Sequence, residues 1–466
     1  MGITSIMNIA KVALFSQQAA MQVVSNNIAN VNTKGYMRQE AIFQETESVQ
    51  TDLGLLGSGV TVKMVMAHYD RYLEASVAKE NNATEEQKAY EKYFNRIETI
   101  LDETNTNVTS NISAFFNAWQ SLSTDPLNTT VRTNVEMEGA NVSRSIRNIY
   151  NELRSVQSEV NNNVAQEVTD INGILKSIAE VNVKLYEEGE QGKTDATLIS
   201  QKTQLIKDLS GKMDIQYFED RDGGMTIMTS SGRILVDRGN VNELSAEILG
   251  SDEYYSVVWN SGTGTTFNIT NLIQGGSLKS YIDIRDNQIA GFIDNVNDLA
   301  QSLMTEINGI HSTGYTTYGT TGINFFKNMT SDYAANIDVS DEVKADVGNI
   351  AATSSATNTS GNDISLALAD LGSAPVTIGL ARNTTFVNYS ASFASKIGNL
   401  AKNATELSQY HQNLLSAVEA QRDSVSGVSI DEEMTNLIKF QYAYQAAARL
   451  LNTADTLFAA LLSIGA

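Results

Sequence analysis

The chain has 466 residues, 54 acidic against 32 basic, for a formal charge of −22, with no cysteine and 42% apolar residues. That length allows about two to four domains with real cores, and such apolar content does not suit a disordered acidic tail. The charge argues against nucleic acid and anionic lipid as partners, and the lack of cysteine excludes disulfide frameworks, zinc knuckles and thiol nucleophiles.

The N-terminus has no basic stretch leading into an apolar core, so no cleaved signal is expected. Ile6 stands where a myristoylation motif wants Ser or Thr. A seven-residue repeat begins at once: Ile3, Ile6, Ala10, Ala13, Gln17, Ala20, Val24, Asn27 and Val31 alternate in steps of three and four. The spacing predicts a helical rod of roughly 43 Å over 1–33. Lys11 is its only charge, and its flanks carry Ser5, Asn8, Ser16, Gln18, Gln22, Ser25 and Asn26. An exposed coiled coil would place Glu and Lys there. Uncharged polar groups suit a surface packed against other protein, where a lone charge pays heavily for desolvation.

Asn30, Asn32, Thr33 and Gly35 then mark a helix exit. Shorter helices fit 84–101, opened by Thr84, Glu85, Glu86 and Gln87, and 111–123, stopped by Asp125 and Pro126. The longest periodic stretch is 131–185. Val142, Ile146, Ile149, Leu153, Val156 and Val160 open it, and Ile171, Ile174, Ile178, Val181 and Leu185 continue it for roughly 80 Å. The period changes over 213–284. Short β-type runs fall at Met225–Thr229, Ile234–Val236, Tyr254–Trp259, Phe267–Leu272 and Tyr281–Ile284, separated by turns at Asp222 to Gly224, Ser231-Gly232, Ser261-Gly262 and Gly275-Gly276.

Two later helical seams could pack on the long one. Ile289, Phe292, Val296, Leu299, Leu303, Ile307 and Ile310 mark the first; Phe393, Ile397, Leu400, Ala404, Leu407, Leu414 and Val418 mark the second. Between them, 312–383 is rich in Gly, Ser, Thr and Asn and reads as mixed or irregular. The chain closes on another heptad seam: Met434, Leu437, Gln441, Tyr444, Ala448, Leu451, Asp455, Phe458 and Leu462. Residues 440–466 hold only Arg449 and Asp455 as charges, so the interior 34–439 carries −23. The longest apolar run, Leu457 to Leu462, is six residues, against roughly 18 or more for a membrane span.

These elements predict a mainly α fold with an inserted β domain: an elongated discontinuous helical bundle whose paired terminal helices form a coiled coil. The expected domains are 1–33 plus 430–466 (assembly), 34–212 plus 285–311 plus 384–429 (helical body), 213–284 (β insert) and 312–383 (mixed insert). The end helices read as buried all round inside an assembly; the plainer alternative is a coiled coil within one chain.

The sequence offers little chemistry. His68, His311 and His411 are far apart without metal spacing, and His411 reads as a packed, hydrogen-bonded side chain. Gly262 and Gly264 lack the context of a dinucleotide loop. The acidic cluster Asp431, Glu432 and Glu433 would need a cleft and split pKa values to act as an enzyme. The structural reading is preferred: Ser429 with Glu432 makes a capping box, and the acids complement the helix dipole. No catalytic, cofactor or metal site is expected.

Ser25, Asn26, Asn27, Asn30, Asn32, Thr33, Gly35, Tyr36, Arg38 and Gln39 form a segment that resembles the N-terminal signature of the bacterial flagellar rod/hook axial protein superfamily. Residues 426–449, continuing through Thr453 to Asp455, resemble its C-terminal signature. The Gly-Tyr-x-Arg-Gln ending at Gln39, the element Tyr69 to Leu73 and the long helical body make the chain similar to the hook-associated protein 1 family, the first hook–filament junction proteins. Lys34 stands where that family often has Pro. The likeness is specific over about 1–75 and 385–466, and architectural between.

The resemblance implies a structural, non-enzymatic adaptor joining hook to filament. It implies export through the flagellar type III system without a cleaved signal, an extracellular place in the flagellum, and a ring of copies bound through the terminal helices. Hook protein and the second junction protein would be neighbours. An export chaperone would cover Leu437, Ile438, Leu450, Leu451, Leu457, Phe458 and Leu461 beforehand. The alternatives are a rod or hook subunit, and an axial scaffold bearing an enzymatic insert in 213–284 or 312–383.

Overall fold

The structure, a computed structural model, describes residues 3–51, 54–101, 108–190, 195–219, 224–262 and 264–464. It is mainly α with an inserted β region. Helix α1 (Ile3–Ala29) leads to strands β1 (Gln39–Glu45), β2 (Val49–Thr51), β3 (Gly54–Leu56) and β4 (Val60–Ala67). Helices α2 (Arg71–Ile100), α3 (Val108–Thr124), α4 (Thr129–Glu190) and α5 (Ala196–Lys212) follow. Next come β5 (Ile215–Glu219), β6 (Met225–Thr229), β7 (Ile234–Asp237), β8 (Asn240–Val241), β9 (Leu244–Glu247), β10 (Ser256–Asn260) and β11 (Thr266–Asn268). Helix α6 (Gly276–Asp283) runs through a π-helical stretch, Ile284–Ile289, into α7 (Ala290–His311). The chain ends with α8 (Asp363–Asp370), β12 (Val376–Ile378), β13 (Ala381–Thr384), α9 (Phe386–Ser426) and α10 (Ile430–Ile464).

Two compact units result, one from 1–86, 167–278 and 410–466, the other from 87–166 and 279–409. In the first, α1 and α10 pack along each other. Strands β1 and β4 pair antiparallel from Gln39↔Ala67 to Glu45↔Val60, with an irregularity between Ile42 and Phe43, and both lie against α1. Ser16 fastens them, its hydroxyl donating to the Val60 carbonyl at 2.8 Å. These strands correct the assignment of 39–67 to a helical body. Over 60–64 the period is two, with Val60, Val62 and Met64 half-buried and Thr61 and Lys63 exposed, as a half-buried strand requires.

The β region of this unit is a meander, β5-β6-β7-β8, beside a three-stranded sheet, β11-β10-β9. Two asparagines on α4 hold it. Asn182 donates to the Met225 carbonyl at 2.8 Å and accepts from the Met225 N–H at 3.0 Å. Asn172 does the same at Leu244, at 2.7 and 2.9 Å. An amide side chain offers one donor and one acceptor face, which matches a strand residue's backbone pair. The Trp259 indole N–H donates to the Ile234 carbonyl at 2.8 Å, tying one sheet to the other.

Two of the expected β runs are corrected. Tyr281 to Ile284 is helical, the end of α6 and the start of the π stretch; a four-residue segment, three of them apolar around Asp283, is too short for periodicity to separate strand from helix. The run from Phe267 stops being strand at Asn268, and Thr270–Leu272 is a 3-10 turn. Asp222 and Gly223, read as a turn, lie outside the described residues.

In the second unit, Val142, Ile146, Ile149, Leu153, Val156 and Val160 are buried among side chains of α3, α7 and early α9. Phe115, Trp119, Phe325 and Phe326 form its aromatic centre, with ring centroids 4.9–6.1 Å apart. Gly139 makes room for them, since a Cβ there would lie 2.7 Å from the Phe325 ring. Buried polar groups organise 312–383. Asn308 donates to the Phe326 carbonyl at 3.0 Å and accepts from its N–H at 2.9 Å. The Arg132 guanidinium donates to the Ile350 and Pro126 carbonyls at 2.6 and 2.7 Å. His311 donates from Nδ1 to the Ile323 carbonyl at 2.7 Å and accepts the Ala351 N–H at Nε2 at 2.9 Å. The second bond requires a neutral ring, and burial accordingly lowers its pKa to about 4.

The second seam of the body also changes register. Ile397, Ala401, Ala404, Ser408 and Leu415 are buried, whereas Leu407 and Leu414 are exposed. His411 is half-buried and paired to Glu80 at 2.6 Å.

Candidate assembly site

The terminal elements meet at the exit of α1. Asn27, on the inner face of its last turn, is fully buried. Its carbonyl oxygen accepts from the Gln39 N–H at 3.0 Å and from the Tyr36 hydroxyl at 2.9 Å. Its amide donates to the Gln39 carbonyl at 2.8 Å and to Glu433 Oε2 at 2.9 Å. One side chain thereby closes the turn between α1 and β1 and reaches the start of α10.

The turn itself is built by its neighbours in the motif. Asn30 donates to the Asn26 carbonyl at 2.9 Å, and Thr33 donates to Asn30 Oδ1 at 3.1 Å. Gly35 has φ +79°, a left-handed conformation that favours glycine, while a Cβ there would meet only the movable end of the Gln204 side chain. Met37 is buried with Ala67 and Ala196. Ser25 and Asn32 are exposed.

Arg38 completes the tie. Its Nε donates to Glu433 Oε1 at 3.0 Å, its Nη1 pairs with Glu432 Oε2 at 3.0 Å, and its backbone N–H donates to the Ser426 carbonyl at 2.8 Å. The Glu433 side chain is 2% exposed, so its charge is balanced by the guanidinium and the Asn27 amide rather than by water. Burial and the Glu433 charge push the Tyr36 phenol up to about 12, so it stays a donor. Here the structure adds to the sequence reading. The acids opening α10 are not only dipole partners: Glu432 and Glu433 turn to Arg38. The available signal was a buried-type position seven residues before Phe440.

That heptad is the contact seam. Glu433, Ala447 and Ala454 are buried and Phe440 half-buried, each seven residues from the next, and Phe440 lies 6.1 Å from Phe43 of β1. Because Asn27 at the end of α1 meets Glu433 at the start of α10, the helices run antiparallel. On α1, Ala10, Ala20 and Val24 are buried, Ile3, Ile6 and Ala13 half-buried, and Val31 lies beyond the helix end. On α10, Leu437, Ala448 and Leu451 are half-buried, but Met434, Tyr444, Phe458 and Leu462 are exposed, as are Ile438, Leu450, Leu457 and Leu461. One of the two alternating positions of the expected C-terminal seam, Met434, Gln441, Ala448, Asp455 and Leu462, is therefore one residue out of register with the helix pairing. The larger apolar residues face outward.

The element Tyr69 to Leu73 forms a second tie. Asp70 caps α2 by accepting from the Tyr72 and Leu73 N–H groups at 2.8 and 3.2 Å. The Tyr69 hydroxyl and Arg71 Nε converge on Glu219 Oε2 at 3.2 and 2.9 Å, while buried Lys202 meets Oε1 at 2.9 Å. Burial and the Glu219 charge raise the Tyr69 pKa. Among the described residues no group of three or more His, Asp or Glu could hold a metal ion, and no helix is long and apolar enough to cross a membrane.

A family model for the flagellar hook-associated protein FlgK helical domain matches residues 94–326, half of the chain. The chain belongs to the FlgK family. Models for the flagella basal body rod protein and the flagellar basal body rod FlgEFG protein C-terminal match 7–36 and 419–464, which contain Asn27 and Glu433. The "Flagellar hook-associated protein 1" of Bacillus subtilis (strain 168) is 27% identical, covering 96% of each chain. That of Salmonella typhimurium is 24% identical over 99% of this chain and all of the relative. A solved structure of the flagellar hook junction protein FlgK from Burkholderia pseudomallei shares the fold with a TM-score of 0.66 at 12% identity, covering 75% of this chain and all of that one. This member is a structural protein of the bacterial flagellum.

Proposed function

We propose that the chain is the axial adaptor that joins hook to filament, polymerising through α1 and α10 into a ring of copies. The observation that carries this reading is the exposure of large apolar side chains along α10. Met434, Ile438, Leu450, Leu457, Phe458, Leu461 and Leu462 are exposed together on one helix, in a region whose only charges beyond residue 440 are Arg449 and Asp455. An apolar surface of that extent needs a protein to cover it. In the assembled state the cover is neighbouring copies, the hook protein and the second junction protein. Before export through the flagellar type III system, it is a chaperone bound over Leu437, Ile438, Leu450, Leu451, Leu457, Phe458 and Leu461. The role is structural and extracellular, with no catalytic step, cofactor or metal. A helical rather than β-rich body supports the junction over a rod or hook subunit.

Immunogold labelling of detached flagella tests the location: label is expected only at the hook–filament junction, and label along rod or hook would refute it. Deleting 430–466 is expected to abolish chaperone capture in a pull-down, and unchanged capture would refute that part.

A further inference from the structure

We infer that Glu433 is a coincidence latch, making the docking of the two chain ends mutually dependent. This goes beyond the junction role and does not rest on it. The two carboxylate oxygens of Glu433 are held by different parts of the N-terminal segment, Oε2 by Asn27 on α1 at 2.9 Å and Oε1 by Arg38 after the turn at 3.0 Å. Neither holder can take its place alone, because Asn27 also clasps both backbone groups of Gln39. The Arg38 backbone N–H in turn donates to the Ser426 carbonyl, at the joint where α9 gives way to α10. The joint is tight: a Cβ on Gly427 would lie 2.4 Å from the Asp423 carbonyl oxygen.

The consequence follows from burial. If α10 docks before the 30–39 turn has formed, Glu433 enters a protein surface with its charge unanswered. If the turn forms while α10 is away, buried Asn27 loses an acceptor and Arg38 loses both carboxylates. Each half-docked state therefore carries unpaired polar groups that the fully docked and fully released states do not. The ends leave together or stay together. The seam of α10, with Phe440, Ala447 and Ala454, is open to another protein only when α1 and the signature turn have also let go, so the N-terminal segment acts as an internal competitor for it.

Hydrogen exchange on the full-length chain tests this, using Arg38→Ala, Glu433→Ala and the double variant. Arg38→Ala is expected to speed exchange across 436–447, and Glu433→Ala across 20–29 and 36–39, each at least tenfold, while amides of 225–260 keep their protection. The double variant should exchange no faster than the more affected single variant, since one coupled event is lost either way. Arg38→Lys and Glu433→Gln, which retain hydrogen bonding but weaken the paired charge, are compared in the same way and should loosen both ends together to a smaller degree. They keep the reading clear if an alanine variant fails to fold. Loosening of one end alone, or additive effects in the double variant, would overturn the latch.

Discussion

His311 is a sharp test of how the second unit is held. Its ring is fully buried, donates from Nδ1 to the Ile323 carbonyl and accepts the Ala351 N–H at Nε2, so only the neutral form fits. Its pKa is about 4 in the fold, against about 6.5 in the unfolded chain. The sign is fixed by which state binds the proton more readily. Above about pH 6.5 both states are neutral there and the full contribution is present. As pH falls towards 4 the unfolded chain is protonated first and stability is lost. The shift corresponds to roughly 3 kcal/mol in total, of which the smaller part is gone by pH 5.5 and most by pH 4.5. Carboxylates titrate over the same range, so the measurement is a difference. Urea unfolding of the chain and of His311→Gln is followed by Trp119 fluorescence in a Trp259→Phe background, the Trp119 ring lying 6.0 Å from His311. The variant should be less stable at pH 7.5 by about 2 kcal/mol, yet lose less on acidification, so that the gap narrows by roughly 2 kcal/mol between pH 7.5 and 4.5. Parallel pH profiles would refute the reasoning.

Asn182→Ala removes a two-point clasp and leaves the Met225 backbone groups unpaired in a buried site. It should cost about 2–4 kcal/mol and admit protease to 215–268 before the rest of the chain. Gly35→Ala forces a side chain into φ +79° against Gln204, which should cost about 1–2 kcal/mol in chemical denaturation, with exchange increasing first over 30–39. Leu457→Glu with Leu461→Glu alters two exposed apolar residues of α10. The monomer's denaturation midpoint should not move, while motility and recovery of the protein in detached flagella should be lost.

The end helices were legible because a seven-residue repeat survives without any neighbour, and the terminal motif because Asn27, Gly35, Tyr36 and Arg38 stand at fixed spacing. The partner face of α10 was not. Periodicity picked out Met434, Tyr444, Phe458 and Leu462 because they are large, but the helix pairs through Ala447 and Ala454, small enough for α1 to approach, and through Glu433. A helix with two apolar faces has two competing registers one residue apart, and local sequence does not say which partner takes which. The strands at 39–67 were hidden because their alternation is short and breaks within each strand, at Ile42 and Phe43 in β1 and at Met64 and Val65 in β4. Tyr281 to Ile284 misled because three apolar residues around Asp283 are too few to separate the two periods.

By itself the sequence determined the nearly uncharged ends flanking an acidic interior, the long helices, the β region within them and the likeness to flagellar axial proteins, since each rests on composition, period or spacing along the chain. Only the tertiary structure decided what Glu433 does. A carboxylate in the first turn of a helix complements the helix dipole in any context, and nothing local distinguishes it from Asp431. It becomes the tie between the two ends because folding buries it beside Asn27 and Arg38, 406 and 395 residues away in the chain. Burial is what turns an ordinary surface acid into a group that must be paired.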